Sequence, residues 1–186
     1  MDAIVKTSTT GTPAQFISAW KHVVNIFRAQ GATNVGWVWN PNAFHFSGGV
    51  SQRYYPGATY VDWIAADGYN WSPKTPSGTT TTAWTTFHDE FAAFYSWAQY
   101  QGKPLMVAET GAMEYPGMTT RKAQWITGTG STIQASYPKI KALVYFDDIG
   151  GSNQSGTQFD WRLNSSAASL NAWVALGRLS WFHPAH

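Results

Sequence analysis

The sequence predicts an α/β fold in which a parallel sheet of four strands is covered by helices, and three observations predict it. Four short, largely apolar runs recur along the 186 residues. Crossover-length spacers separate them, with helical patterns clearly following the second, third and fourth runs; strands joined in that way pair parallel and are covered on their faces. Polar residues fall directly after the runs, namely Asn40, Asp67, Tyr69, Asn70, Glu109 and Asp147. In α/β folds that position is the carboxyl-terminal edge of the sheet, where ligands bind.

The first element is a helix over 14–30, with Thr12 as N-cap, Pro13 at the first helical position and Gly31 at the end. Phe16, Ala19, Trp20, Val23, Val24 and Phe27 fall at the three-and-four spacing of one face. A strand over 34–39 follows and is halted by Asn40-Pro41-Asn42. Residues 43–59 read as a loop punctuated by Gly48-Gly49 and Pro56-Gly57. The second strand covers 60–66 and is followed by a polar loop over 72–82. An amphipathic helix over 84–101 carries Phe87, Phe91, Phe94, Tyr95 and Ala98. The third strand, 104–108, ends at Glu109-Thr110-Gly111; a helix over 121–136, weakened by Gly128 and Gly130, leads to the fourth strand, 140–146. A polar loop and a last helix over 166–177 complete the domain, 1–178. The segment 179–186, with Trp181-Phe182-His183-Pro184-Ala185-His186, changes composition abruptly and reads as a tail foreign to it.

Composition narrows the function. A net charge of +2 with only 12% charged residues, and no basic cluster longer than Arg121-Lys122, argues against a nucleic-acid partner. No apolar run approaches the length of a membrane span, and Met1-Asp2-Ala3 opens no signal peptide. With no cysteine there is neither a disulfide nor a thiolate metal site, and His22, His45 and His88 are scattered, so no metal or other cofactor is expected. Aromatic residues are 16% of the chain, with 11 Trp. Two readings fit that excess: a Trp-rich core, or a cleft in which pyranose faces stack on indole rings.

The chain contains three Glu. Glu90 falls inside a helical pattern beside Asp89 and reads as part of a solvated helix face. Glu109 ends an apolar strand, where a lone carboxylate is either catalytic or an acceptor that anchors a loop. Glu114 and Asp147 are within reach of the same rim. No Gly-x-Ser-x-Gly nucleophile elbow and no phosphate-cradling glycine loop is present.

Several stretches together resemble glycoside hydrolase family 26, mostly endo-β-1,4-mannanases with some mixed-linkage β-glucanases. They are Ala19-Trp-Lys-His-Val-Val-Asn-Ile-Phe-Arg28, Gly31 to Asn42 with its Val-Gly-Trp-Val-Trp-Asn-Pro-Asn, Tyr54-Tyr-Pro-Gly57 and Tyr60-Val-Asp-Trp-Ile-Ala-Ala-Asp-Gly-Tyr-Asn70. Lys103-Pro-Leu-Met-Val-Ala-Glu-Thr-Gly111, Lys141-Ala-Leu-Val-Tyr-Phe-Asp147, Asp160-Trp-Arg-Leu163 and Ser169-Leu-Asn-Ala-Trp173 continue the run in the same order. The resemblance implies a partial TIM barrel, about four βα units (strands five to eight) preceded by a helix; a complete barrel has about 250 residues.

It further implies a retaining hydrolase of β-1,4-mannan-like or β-glucan polysaccharide, with Glu109 as nucleophile and Tyr69 orienting it. Trp39, Asn40, Asp67, Trp71, Tyr145 and Asp147 would then lie around the substrate, with Trp63 either a further stacking residue or core. The family's acid/base glutamate sits on strand four, upstream of the helix that opens this sequence, so activity is expected to be impaired unless another carboxyl substitutes, Glu114 being one candidate. Secretion is implied by the family alone. A half-barrel leaves two open edges, so a homodimer paired edge to edge is expected. Two other readings stand beside the hydrolase: a non-catalytic carbohydrate-binding half-barrel, and a hydrolase of different specificity such as an esterase.

Overall fold

A computed structural model of the chain describes residues 11–74, 79–115, 117–118, 120–150 and 159–182. The expected tail residues His183 to His186, the first ten residues and parts of the two polar loops lie outside the described residues. Helix α1 spans Pro13–Ala29 and opens on a capping box in which Thr12 and Gln15 satisfy each other's backbone N–H. Strand β1 (Val38–Trp39), strand β2 (Trp63–Asn70), helix α2 (Phe87–Ala98), strand β3 (Leu105–Ala112), helix α3 (Arg121–Ala135) and strand β4 (Ile140–Leu143) follow. A short ribbon of β5 (Ile149–Gly150) and β6 (Phe159–Asp160) precedes the last helix, α4 (Ala167–Gly177).

The main sheet has the order β1-β2-β3-β4, and all three pairings are parallel. The parallel strands, with α-helices after β2 and β3, are the expected βα repeat, and among the described residues no strand pairs with the outer edge of β1 or β4.

The boundaries move for identifiable reasons. β1 keeps two of its six expected residues because it has a neighbour on one side alone. Before it, Trp37 is held by Asp62 instead: its N–H donates to Asp62 Oδ2 at 2.7 Å and its carbonyl accepts from Asp62 N at 2.7 Å. β2 starts three residues late and runs on through Asp67-Gly68-Tyr69-Asn70, while β3 runs on through Glu109 to Ala112. Each supplies the other's ladder there, with Asp67↔Glu109, Gly68↔Thr110, Tyr69↔Gly111 and Asn70↔Ala112 in register. Mutual pairing overrides the polar composition that suggested loops. Residues expected as a loop after β1 form three 3-10 turns, Ala43–Phe46, Ser51–Tyr54 and Ala58–Tyr60.

Many of the aromatic residues fill the core between sheet and helices. Trp39, Ile64, Phe87, Phe91, Phe94, Leu105, Ile126, Ile133 and Ile140 are buried, each worth about 1.5–3 kcal/mol of transfer free energy. α3 stays helical through both glycines, and Gly130 has a reason: a Cβ there would meet Leu176 Cδ1 of α4 at 2.7 Å. Leu179, Trp181 and Phe182, placed by the sequence in a foreign tail, pack on this same core.

Candidate active site

The carboxyl edge of β2 and β3 carries the site. A register shift between Ala66 and Asp67 sets Asp67 opposite Glu109, so the two carboxylate residues are neighbours across the ladder. Two residues on, the Tyr69 hydroxyl donates to Glu109 Oε2 at 2.7 Å. Burial pushes the Tyr69 hydroxyl's pKa far up, followed by its bond to Glu109 and the nearby charges of Glu109 and Asp67. Tyr69 therefore stays protonated and remains a donor, while Glu109 itself is exposed to solvent.

Gly111 makes this geometry possible. A Cβ there would lie 3.1 Å from Trp161 Cε3 and 3.4 Å from Tyr69 Cδ1 and Cε1, so the two rings close over a strand that has no side chain at that point. Tyr69 then sits among Trp161, Trp71 and Phe146, with ring centroids 4.8, 5.6 and 6.2 Å away. On the opposite face of β3, Thr110 Oγ1 donates to the Gly68 carbonyl at 2.8 Å and locks the two strands together.

Several residues expected around the site are placed otherwise. Trp39 is 0% exposed and packs edge-on against Phe46, Tyr55 and Trp97, so it has no face to offer a sugar. Tyr145 is buried, and its hydroxyl both donates to the Ala112 carbonyl (3.1 Å) and accepts from the Ala112 N–H (3.2 Å), which fixes the end of β3. Glu114 is bound by three serine hydroxyls, with Ser165, Ser166 and Ser169 donating to Oε1 at 3.0, 2.7 and 2.7 Å. That carboxylate anchors the start of α4. Asp147 is exposed but accepts from the Leu163 N–H at 2.7 Å. Asn40 is half-buried just past β1, Trp63 is half-buried within β2, and Trp71 is half-buried with its ring edge-on to Phe159 and Trp161.

Three residues of this neighbourhood had no role in the sequence reading. Trp161 stood in a motif that carried the resemblance, yet nothing local said that its ring would reach Tyr69. Lys122 is buried, and its ammonium donates to the carbonyls of Trp161 (3.2 Å) and Arg162 (2.6 Å) and to Ser165 Oγ (2.9 Å), so it ties down the loop that carries Trp161. Burial lowers its pKa to about 8, an effect opposed by the charges of Glu114, Asp160 and Asp147.

The third is Glu90, which corrects an expectation. It does not belong to a solvated helix face: its carboxyl lies against β2, where a Cβ on Gly68 would come within 2.6 Å of Oε1. Burial raises its pKa to about 7, and the nearby Tyr69 backbone N–H holds the rise back. The local pattern near the N-terminus of α2 did suggest exposure, because the residues beside Glu90 that are charged or titratable, His88 and Asp89, are exposed.

A parallel sheet with helices packed against it and polar side chains along its carboxyl edge has the architecture of part of a (β/α)-barrel. Residues 6–137 match the profile of Glycosyl hydrolase family 26, and the chain belongs to that family. It is 38% identical over 172 residues to Endoglucanase H of Acetivibrio thermocellus, a match covering 92% of this chain and 18% of that protein. Among solved structures it is similar to a Cellulomonas fimi endo-β-1,4-mannanase double mutant (TM-score 0.62, 18% identity, 92% of this chain and 37% of that one). The catalytic domain of a Bacillus sp. JAMB-750 endo-β-1,4-mannanase is also similar (TM-score 0.60, 20% identity, 94% of this chain and 46% of that one). The chain thus spans 37% and 46% of these two solved chains, and 18% of the relative from Acetivibrio. No helix among the described residues is long and apolar enough to cross a membrane.

Proposed function

We propose that this chain supplies the nucleophile half of a retaining glycoside hydrolase that cleaves a β-1,4-linked glucan or mannan, with Glu109 attacking the anomeric carbon and Tyr69 orienting it. The observation that carries the reading is the 2.7 Å bond from the hydroxyl of half-buried Tyr69 to an exposed carboxylate on the carboxyl edge of a parallel sheet. That bond holds one oxygen of Glu109 and leaves the other for attack. Asp67 beside it, together with Trp71, Asn40 and Asp147 around the rim, is the set available to sugar hydroxyls and ring faces. The 38% identity to a protein named an endoglucanase, against 18–20% to mannanases, favours glucan as the polymer. By the same family resemblance the protein works outside the cell, where polysaccharides are met.

Retaining hydrolysis uses two carboxyl groups about 5–5.5 Å apart, the second protonating the leaving oxygen. Glu114 is already engaged at the start of α4, where Ser165, Ser166 and Ser169 donate to its Oε1. By resemblance the acid belongs to strand four of the barrel. A glycoside whose leaving group needs no proton removes that requirement and isolates the nucleophile.

The test is therefore incubation with 2,4-dinitrophenyl 2-deoxy-2-fluoro-β-cellobioside and its mannobioside counterpart, followed by peptide mass spectrometry. One covalent disaccharide on the peptide containing Glu109, absent in Glu109→Gln, is the expected result. Reversible sugar binding without an adduct would reduce the protein to a carbohydrate-binding half-barrel. Ester hydrolysis that survives Glu109→Gln would point to a hydrolase of another kind.

The outer edges of β1 and β4, unpaired among the described residues, support pairing of two chains edge to edge, with Val38 on β1 and Val144 just after β4 exposed at 37% and 44%. Such a homodimer would cover both edges without any other partner.

A further inference from the structure

Trp161 has almost no surface to offer a ligand, being 3% exposed, yet its ring meets the Tyr69 ring directly. The centroids of the two rings are 4.8 Å apart, and that of Trp71 lies 5.1 Å from Trp161. The Cε3 atom of Trp161 stands 3.1 Å from where a Cβ of Gly111 would be, so the same indole also lies against β3. Tyr69 is thereby closed in beside the strand that carries Glu109, with its hydroxyl 2.7 Å from Glu109 Oε2. A tyrosine ring turns about its side-chain bonds among staggered states. Which state Tyr69 keeps depends on the rings around it, and Trp161 is the nearest of them.

The segment that carries Trp161 has little regular structure of its own: it follows the two-residue strand β6 and precedes the 3-10 turn Leu163–Ser165. Groups from three other elements hold it instead. From α3, Lys122 Nζ donates to the Trp161 carbonyl at 3.2 Å, to the Arg162 carbonyl at 2.6 Å and to Ser165 Oγ at 2.9 Å. From just past β3, Glu114 Oε1 accepts from Ser165 Oγ at 3.0 Å. From just past β4, the Asp148 carbonyl accepts from the Trp161 N–H at 3.0 Å, and Asp147 Oδ1 accepts from the Leu163 N–H at 2.7 Å. Lys122 is 0% exposed, and a buried ammonium is costly unless it is hydrogen-bonded. An apolar side chain of similar length would fill the space at less cost, so what the ammonium adds is a fixed place for the backbone of Trp161.

We propose that Trp161 is a positioning residue for the Tyr69–Glu109 pair, and that Lys122 sets its place through the backbone. The inference rests on the reading of Glu109 as nucleophile for its consequence in catalysis, but the chain of contacts from Lys122 through Trp161 and Tyr69 to Glu109 belongs to the folded protein whatever the reaction. Small displacements of an oriented nucleophile are costly: a shift of about 1 Å loses on the order of 10²-fold in rate. Trp161→Leu keeps the site apolar and removes the ring that meets Tyr69. Lys122→Met keeps the length of the side chain and removes the donor to the Trp161 and Arg162 carbonyls.

The three Glu of the sequence make the test direct, since protein labelled with ¹³C at the glutamate carboxyl gives three resonances, assigned by single Glu→Gln variants. In Trp161→Leu the Glu109 resonance at fixed pH is displaced, and capture of Glu109 by the fluorinated dinitrophenyl glycoside slows by roughly 10- to 100-fold without weaker initial binding. Lys122→Met displaces the same resonance. The double variant gives the resonance position and capture rate of Trp161→Leu alone, because Lys122 acts only through that ring. An unmoved Glu109 resonance in Trp161→Leu overturns the inference, since a merely structural Trp161 would leave it there. Effects of the two substitutions that add overturn the role given to Lys122, and weaker initial binding with an unchanged capture rate would make Trp161 a sugar contact instead. If the wild type is not captured, the proposed function fails while the resonance comparison still decides this point. Should Trp161→Leu not fold, Trp161→Phe keeps an apolar ring but withdraws the outer part of the indole, and an unmoved Glu109 resonance in that variant is equally fatal.

Discussion

The Tyr69 hydroxyl and Glu109 Oε2 lie 2.7 Å apart across two parallel strands, on residues that are offset by two positions in the ladder. The offset matters, because the ring must lean along β3 over Gly111 to reach a carboxylate that is not directly opposite. The hydrogen bond is to a charged group, so its loss is worth about 1.5–3 kcal/mol. Tyr69→Phe is expected to slow covalent capture of Glu109 by roughly 10- to 100-fold, read by intact-mass kinetics, with little change in Tm. A Tyr69→Phe protein captured at the wild-type rate would mean that the bond orients nothing.

Gly111→Ala is expected to damage the site more than the fold. The new methyl would stand 3.1 Å from Trp161 and 3.4 Å from Tyr69, both rings held in the cluster with Trp71 and Phe146. Overpacking of this kind costs about 1–3 kcal/mol. Near-ultraviolet circular dichroism of the tryptophans should change, capture at Glu109 should fall, and the far-ultraviolet spectrum should be preserved.

Glu90 gives stability a pH dependence of defined sign. Its pKa is about 7 in the folded chain against 4.5 as the ordinary value, so between those values the folded state binds more protons than the unfolded one. Stability from this group is full below about pH 4.5 and is lost as pH rises through 7. His45 and Lys74 line the adjoining cavity, Asp67 and Tyr69 lie on β2, and His88 and Asp89 flank Glu90 on α2. Glu90→Gln is expected to gain on the order of 2–3 kcal/mol at pH 8 and almost nothing at pH 4, measured by urea unfolding. Equal gains at both pH values would contradict the burial of an ionisable group.

Lys122 works in the opposite direction. Its pKa is lowered to about 8 from 10.5, so between these values the unfolded chain binds more protons and stability rises with pH across that window. The variant Lys122→Met should lack this rise. At neutral pH it should also lose order in the Trp161–Ser165 loop, because two carbonyls and a serine hydroxyl lose their donor. Hydrogen exchange of the Leu163 and Ser165 amides would read that loss.

The paired-edge assembly predicts a dimer in sedimentation at micromolar concentration, dissociated by Val38→Lys together with Val144→Lys. A sharp monomer for the wild type would remove the proposal.

Much of the molecule was legible in the sequence, because periodicity, capping residues and strand-end polarity are local signals. They placed α1 with its Thr12 cap, the four strands in order, the helices between them, and Glu109 and Tyr69 on a single edge. Motif order alone carried the family. Other features depended on what each residue meets in space. Whether Trp39 would be core or rim, whether Tyr145 would face a ligand or the Ala112 backbone, and whether Glu114 would be free or held by serines are questions that no spacing answers. Glu90 is the clearest instance: helix periodicity set it beside the exposed Asp89, but it is half-buried because its carboxyl lies against Gly68 of β2. Sequence determines which groups can be made, through propensities acting over a few residues. Tertiary structure decides their charge and their partners, because desolvation and hydrogen bonding across the sheet come from residues 20 or more positions away, such as Gly68 beside Glu90 and Tyr69 beside Glu109.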